Sequence, residues 1–246
     1  MQQTTSTARK AALVFGGSRG IGAATVARLA KDGFAVAFTY VSSADKAQAL
    51  VDRVAADGGE ALAIRADSAD ATAIRDAVAQ AVARFGTLSV TVVNAGIFRM
   101  ATVDAVKLED LDQMLAVNVR GVYLSIQAVV PHLRDGARVI TIGSNVALHT
   151  RTPGSSVYQM TKTAVAGMVK GIALDLAPRG ITVNNVQPGP TDTDINAGAI
   201  EILAGMSPLK RVAEPAEVAG MVSYLAGDDA RFVTGASLTI DGGWTL

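Results

Sequence analysis

The 246-residue chain contains no cysteine. Disulfides, thiolate nucleophiles and cysteine-ligated metals are therefore excluded. Its two histidines, His132 and His149, are too few for a histidine-rich zinc site. Neither sign of charge predominates, with 22 Lys plus Arg against 22 Asp plus Glu. That balance offers nothing to nucleic acid or to an anionic membrane surface. Aromatic residues make up only 4% of a chain that is 50% hydrophobic, so Ala, Val, Ile and Leu must fill the core. No stretch reads as apolar enough for a membrane span. The polar opening MQQTTSTARK, followed by the short apolar run Ala11–Phe15, predicts no signal peptide. Together these absences predict a cytoplasmic protein with no metal, nucleic-acid or membrane partner.

What is present is an alternation. Short apolar runs at Ala11–Phe15, Ala35–Tyr40, Glu60–Arg65, Leu88–Asn94, Arg138–Gly143, Ile181–Gln187 and Ser237–Ile240 read as strands. Most are continuous rather than alternating, as in strands covered on both faces. Helical patterns at Ile21–Asp32, Lys46–Asp57, Ala71–Phe85, Leu108–Leu133, Val157–Ala177 and Pro215–Leu225 lie between them. Asp32-Gly33, Asp57-Gly58 and Arg179-Gly180 supply helix stops. No linker or repeat divides the chain. The expected architecture is α/β: a single Rossmann-type, doubly wound domain over 1–246, with a parallel seven-stranded sheet and helices on both faces. Pro188 to about Glu214 shows no element and is rich in Gly and Pro, so a substrate lid is expected at about 190–214.

The first strand runs into GGSRGIG, with glycines at Gly16, Gly20 and Gly22, and a helix opens at about Ile21. Gly16 suits a tight turn, while Gly20 and Gly22 let backbone approach a pyrophosphate at the helix N-terminus. The second strand ends Thr39-Tyr40-Val41-Ser42-Ser43 without the acid that binds an NAD ribose. Arg19, with hydroxyls from Tyr40, Ser42 and Ser43, could instead pair with a 2′-phosphate, so NADP(H) is the expected cofactor. Asp67-Ser68 follows the third strand, where the carboxylate could accept from an adenine amino group. Asn94-Ala95-Gly96 ends the fourth strand, where Asn94 reads equally as a strand cap or as a cofactor contact.

Of the four tyrosines, only Tyr158 is followed four residues later by a lysine, Lys162, and the two share a helix face. A nearby ammonium would stabilise the phenolate and lower its pKa from about 10. Ser144 ends the fifth strand, fourteen residues before Tyr158, and Asn118 lies inside the apolar stretch MLAVNVRG. A buried amide there needs a partner or a water.

GGSRGIG at 16–22, NAG at 94–96, Asn118, Ser144, YQMTK at 158–162 and PGPTDT at 188–193 occur in the order in which they stand in short-chain dehydrogenases/reductases. The chain resembles that family over nearly its whole length. The resemblance implies a catalytic tetrad of Asn118, Ser144, Tyr158 and Lys162. In it Tyr158 exchanges a proton with the substrate oxygen and Ser144 hydrogen-bonds that oxygen. Lys162 binds the nicotinamide ribose and lowers the phenol pKa, and Asn118 holds a water. It further implies cofactor contacts from Ser18, Ile21, Pro188, Gly189, Thr191 and Thr193, and a homotetramer built on the two long helices and the C-terminal strand. Phe15 replaces the usual Thr or Ser before the first glycine, and GSSVY replaces the GQxNY common in 3-oxoacyl-carrier-protein reductases. A carbonyl or alcohol substrate other than an acyl carrier is therefore favoured, in an apolar pocket drawing on Ile97, Phe98, Ser144, Asn145, His149 and Tyr158. GGSRGIGAA, FTY, DSAD, VVNAGI and VQPGPTDTD also resemble a branch of biofilm-dispersal mediators described as cyclic-di-GMP-binding. The rival expectation is thus a cyclic-dinucleotide-binding regulator on the same scaffold.

Overall fold

The computed structural model describes residues 9–246. Seven parallel strands form one sheet in the order β3-β2-β1-β4-β5-β6-β7. They are β1 (Ala11–Phe15), β2 (Ala35–Tyr40), β3 (Glu60–Arg65), β4 (Leu88–Val93), β5 (Leu133–Ile142), β6 (Thr182–Pro188) and β7 (Ser237–Ile240). The helices are α1 (Gly20–Lys31), α2 (Ala44–Ala56), α3 (Ala71–Phe85), α4 (Leu108–Leu115), α5 (Val122–Val129), α6 (Ser156–Leu176), α7 (Ile200–Met206) and α8 (Pro215–Ala226). The expected doubly wound parallel sheet is therefore present.

Strand alternation explains why the apolar runs are continuous. In β1, Ala11, Leu13 and Phe15 face one core while Ala12 and Val14 face the other. The first core is completed by Ile74 and Val78 of α3, Ile126 and Val129 of α5, and Val165, Val169 and Ile172 of α6. The second takes Val26 and Leu29 of α1, Leu50 and Val54 of α2, and Val218, Val222 and Leu225 of α8. Burying each such side chain contributes about 1.5–3 kcal/mol, so both sheet faces are strongly held. β1 lies between β2 and β4, and the winding direction reverses there. The connections leaving the carboxyl ends of β1 and β4 therefore run to opposite faces and open a crevice, the usual ligand position in such sheets.

Three expectations change. The single helix expected over Leu108–Leu133 is α4 and α5 joined by a π turn, Ala116–Gly121, and β5 begins at Leu133 instead of Arg138. A Cβ on Gly121 would lie 2.2 Å from the Ser68 carbonyl oxygen, so only glycine lets the end of the π turn cross the loop after β3 this closely. The run Leu108–His132 is also long and apolar enough to cross a membrane, at 25 residues and a mean hydropathy of 1.3. It nevertheless covers the sheet, with Val122, Ile126 and Val129 buried in the first core, which is why its composition is so apolar. Finally, the segment after β6 is not featureless. It contains α7 and is closed at its base by a Thr191–Ala213 bridge, with Asp192 N donating to Ala213 O and Ala213 N to Pro190 O. Its far end is tied down by the Arg211–Glu217 ion pair, which holds the Glu217 carboxyl at about 2.

Candidate active site

The glycine turn is strapped to the strands on either side of it. Gly16 has φ +78, and a Cβ there would fall 2.8 Å from Ala95 Cα. Only glycine permits both that conformation and that approach. Gly16 N donates to Thr39 Oγ1 (2.9 Å), Gly17 N donates to Thr39 O, and Asn94 Nδ2 donates to Gly16 O (2.6 Å). Asn94 thus acts as the strap of the turn as well as lining the crevice. Gly22 is packed behind it, where a Cβ would meet Gly16 O at 2.0 Å. α1 then starts with Arg19 at its cap, with no capping side-chain hydrogen bond and no acid in its first turn. Its N-terminal N–H groups are left for an anion.

A cavity of about 350 Å³ opens over this turn. Of the residues expected to hold a cofactor, Gly16, Ser18, Arg19, Gly20, Ile21, Tyr40, Ser42, Ser43, Asp67, Ser68, Asn94, Ala95, Gly96 and Thr193 line it. Asp67 uses Oδ1 to accept from Ala69 N (2.8 Å), fixing the loop after β3. Pro188, Gly189 and Thr191 lie outside the cavity wall. Pro188 pairs with Ile240 at the end of β6, Gly189 N donates to Ile240 O, and Thr191 is buried with its hydroxyl on Gly189 O. A larger open cleft of about 1360 Å³ lies behind α1 and α8 and includes none of the tetrad.

The four expected catalytic residues converge beside Gly96. A Cβ on Gly96 would stand 3.4 Å from Asn118 Oδ1 and 3.6 Å from Lys162 Nζ, so this glycine separates the cavity from the tetrad. Asn118, in the π turn, is buried, and its amide is fully engaged. Oδ1 accepts from Ile97 N (2.8 Å), and Nδ2 donates to Ile97 O (2.8 Å) and to Thr161 Oγ1 (3.3 Å). Its side chain therefore clamps the loop after β4, where the sequence suggested a water-holding amide. π turns recur at functional sites because they re-aim one side chain out of helical register.

Tyr158 and Lys162 lie one turn apart on α6. The Phe98 ring meets Tyr158 edge-on with centroids 4.8 Å apart. Burial pushes the phenol up to about 12, and a hydrogen bond from Ser144 opposes this. Lys162 Nζ donates to Ile142 O (3.0 Å), lies 5.6 Å from the Tyr158 ring centroid, and is pushed down to about 8 by burial. The lowering of the phenol expected from the ammonium does not prevail here. Lys162 points at a strand carbonyl, and loss of hydration dominates both groups. In this arrangement burial favours the protonated phenol.

Ser144 Oγ accepts from Val146 N (3.3 Å) and reaches Asn145 Oδ1 (3.5 Å). Asn145 Nδ2 in turn donates to Asp241 Oδ2 (3.4 Å). A carboxylate can only accept, so it decides which end of the Asn145 amide faces Ser144. Asp241 also receives Thr245 N and Thr245 Oγ1, which ties the C-terminal segment to Ser144 through Asn145. His149 is exposed, and its side chain makes no hydrogen bond among the described residues. Thr39, Thr161 and Asp241 were not singled out from sequence. A hydroxyl inside the apolar strand AVAFTY was a usable signal for Thr39, whereas Asp241 stands 96 residues from its partner.

A family model described as enoyl-(acyl carrier protein) reductase matches residues 16–245. The cyclic-di-GMP-binding biofilm dispersal mediator protein of Escherichia coli K12 is 42% identical over 241 residues, covering 95% of this chain and 96% of that one. A short-chain dehydrogenase/reductase from Serratia marcescens superposes with a TM-score of 0.94 at 52% identity, over 96% of this chain and 98% of its own. A short chain dehydrogenase from Burkholderia cenocepacia, solved in complex with NADP, does so at 0.93 and 45%, with the same coverage.

Proposed function

The chain belongs to the short-chain dehydrogenase/reductase family, and we propose that it is an NADP(H)-dependent carbonyl reductase with Tyr158 as general acid. The meeting of Ser144, Tyr158 and Lys162 beside the cofactor crevice, with Asn118 clamping the loop after β4 against α6, is the observation that carries this reading. The cavity fits the cofactor. It offers an uncapped helix N-terminus for the pyrophosphate, Asp67 and Ser68 for the adenine end, and Arg19, Ser42 and Ser43 where a 2′-phosphate would stand. When bound, the nicotinamide supplies the hydride. Ser144 holds the carbonyl oxygen of the substrate, and Tyr158 delivers a proton to it as charge develops there. Lys162 anchors the ribose, and Asn118 keeps the Ile97 loop and α6 in register with one another. Phe98 and the apolar loop after β4 favour a small ketone or aldehyde, and 190–214 serves as the lid over it.

A panel of carbonyls followed through NADPH oxidation tests this. Several are reduced, and NADPH binds about tenfold more tightly than NADH, the combined value of the charge-assisted pairings open to a 2′-phosphate. Equal affinities remove the role given to Arg19. The regulator reading is favoured by the identity to the E. coli mediator. It prevails if the panel yields no turnover while cyclic di-GMP binds tightly.

The same reading includes a homotetramer. Leu108, Tyr123 and Leu174 on the long helices, and Leu246 at the C-terminal end, are exposed apolar residues on the segments expected to pair. Trp244, which follows the C-terminal strand, is already buried within the single chain, with Arg151 over its ring. Light scattering should give four chains per particle, and a concentration-independent monomer mass overturns this part.

A further inference from the structure

Asp194, on the segment after β6, brings one carboxylate oxygen to two cations from the opposite side of the crevice. Arg19 Nη1, in the glycine turn, lies at 3.4 Å, and Lys46 Nζ, in the first turn of α2, lies at 3.5 Å. Because both cations address the same Oδ2, they are close neighbours, and without Asp194 they would repel one another. Arg19 and Asp194 both line the cavity beside Ser42 and Ser43, next to the uncapped start of α1. The arrangement is an anion site, and in the free protein its anion comes from the chain itself.

We propose that Asp194 is an internal stand-in for phosphate, displaced when the 2′-phosphate of NADP(H) enters, and that Lys46 is a second specificity-determining cation alongside Arg19. This rests on the cofactor assignment made above. A phosphate monoester carries about −1.5 to −2 charges and three acceptor oxygens, so it serves both cations with separate oxygens where the carboxylate offers one. A ribose hydroxyl carries no charge and cannot compete. The carboxylate therefore weakens binding of the phosphorylated cofactor alone, and the lysine strengthens it alone. Since all three side chains are more than half exposed, each pairing shifts affinity only about two- to fivefold.

The test compares adenosine 2′,5′-bisphosphate with adenosine 5′-monophosphate, which differ only in the 2′-phosphate and need no hydride transfer. Calorimetric titration at low ionic strength reads both. Asp194→Asn should tighten the bisphosphate about two- to fivefold, and Lys46→Met should weaken it by a similar factor, each leaving the monophosphate unchanged. In the double variant the gain from Asp194→Asn should shrink, because the two side chains share a contact. Raising the salt should compress all these differences. If Asp194→Asn weakens the bisphosphate, or moves both nucleotides together, Asp194 is no stand-in. If Lys46→Met leaves the ratio untouched, the second cation is wrong. A wild-type protein without preference for the bisphosphate removes the cofactor assignment itself, and the proposal with it. A preference that survives both substitutions unchanged removes the proposal alone.

Discussion

Tyr158→Phe should lower turnover of an accepted carbonyl by about 10²- to 10⁴-fold, the usual contribution of a positioned general acid. The substitution deletes one oxygen and leaves the ring, so the edge-on contact with Phe98 at 4.8 Å persists. Cofactor affinity should stay within about twofold of wild type, since an exchange that leaves the fold and the cavity intact changes binding little. The variant also carries a signature in alkali. In the wild type the unfolded phenol ionises near 10 and the folded one near 12. Between those values the unfolded state has bound fewer protons, so wild-type stability falls as the pH rises from 10 to 12. Tyr158→Phe lacks that component, and its unfolding free energy should fall less over the same window. Denaturant titrations at pH 9 and 11, alongside single-turnover kinetics, measure both effects. Wild-type turnover in the variant would take the proton-donor role away from Tyr158.

Lys162→Met should separate function from stability. Turnover is lost, and NADPH binding weakens as well, because the same ammonium serves the ribose. The lysine is buried and its pKa falls from 10.5 to about 8, so carrying the charge costs the folded state stability at neutral pH. The shift corresponds to roughly 3 kcal/mol, against which the lost hydrogen bond to Ile142 O returns about 1 kcal/mol. The variant should therefore be more stable than wild type at pH 7, by about 1–2 kcal/mol. For a group whose folded pKa is depressed, wild-type stability rises with pH across 8 to 10.5, so the advantage of the variant should vanish over that window. Equilibrium unfolding at pH 7 and pH 10 reads the difference directly. A variant less stable than wild type at pH 7 would mean that Lys162 is held chiefly by its bond to Ile142.

The two substitutions differ in what they leave behind, and the difference follows from the local environment of each group. In the proposed mechanism Tyr158 contributes a proton, which burial of the phenol keeps in place. Lys162 contributes a charge that the fold tolerates at a cost, which is how groups needed for chemistry commonly stand in a core.

Much of the fold was legible in the residues alone. β1 and β2 occupy the predicted spans, because a strand buried on both faces must be apolar throughout and is bounded by polar or glycine residues, and the edge strands β3 and β7 match theirs as well. The glycine turn and the Tyr158–Lys162 pairing were equally visible, since both depend on spacings of a few residues along one strand–helix junction or one helix. The π turn was hidden. It ends where Gly121 approaches the Ser68 carbonyl, a meeting of two elements that no local pattern records. The partners of Asn118 and Asn145 and the attachment of Arg19 to Asp194 were hidden for the same reason, as each joins segments far apart in the chain. So was the direction of the phenol shift. Local spacing placed a lysine near a tyrosine and suggested a lowered pKa, whereas burial of both groups in the folded chain raises it. What the sequence determined by itself was everything set by short-range periodicity and backbone permissiveness. The tertiary structure decided which polar groups meet and how much water each loses, because those depend on distances that only folding creates.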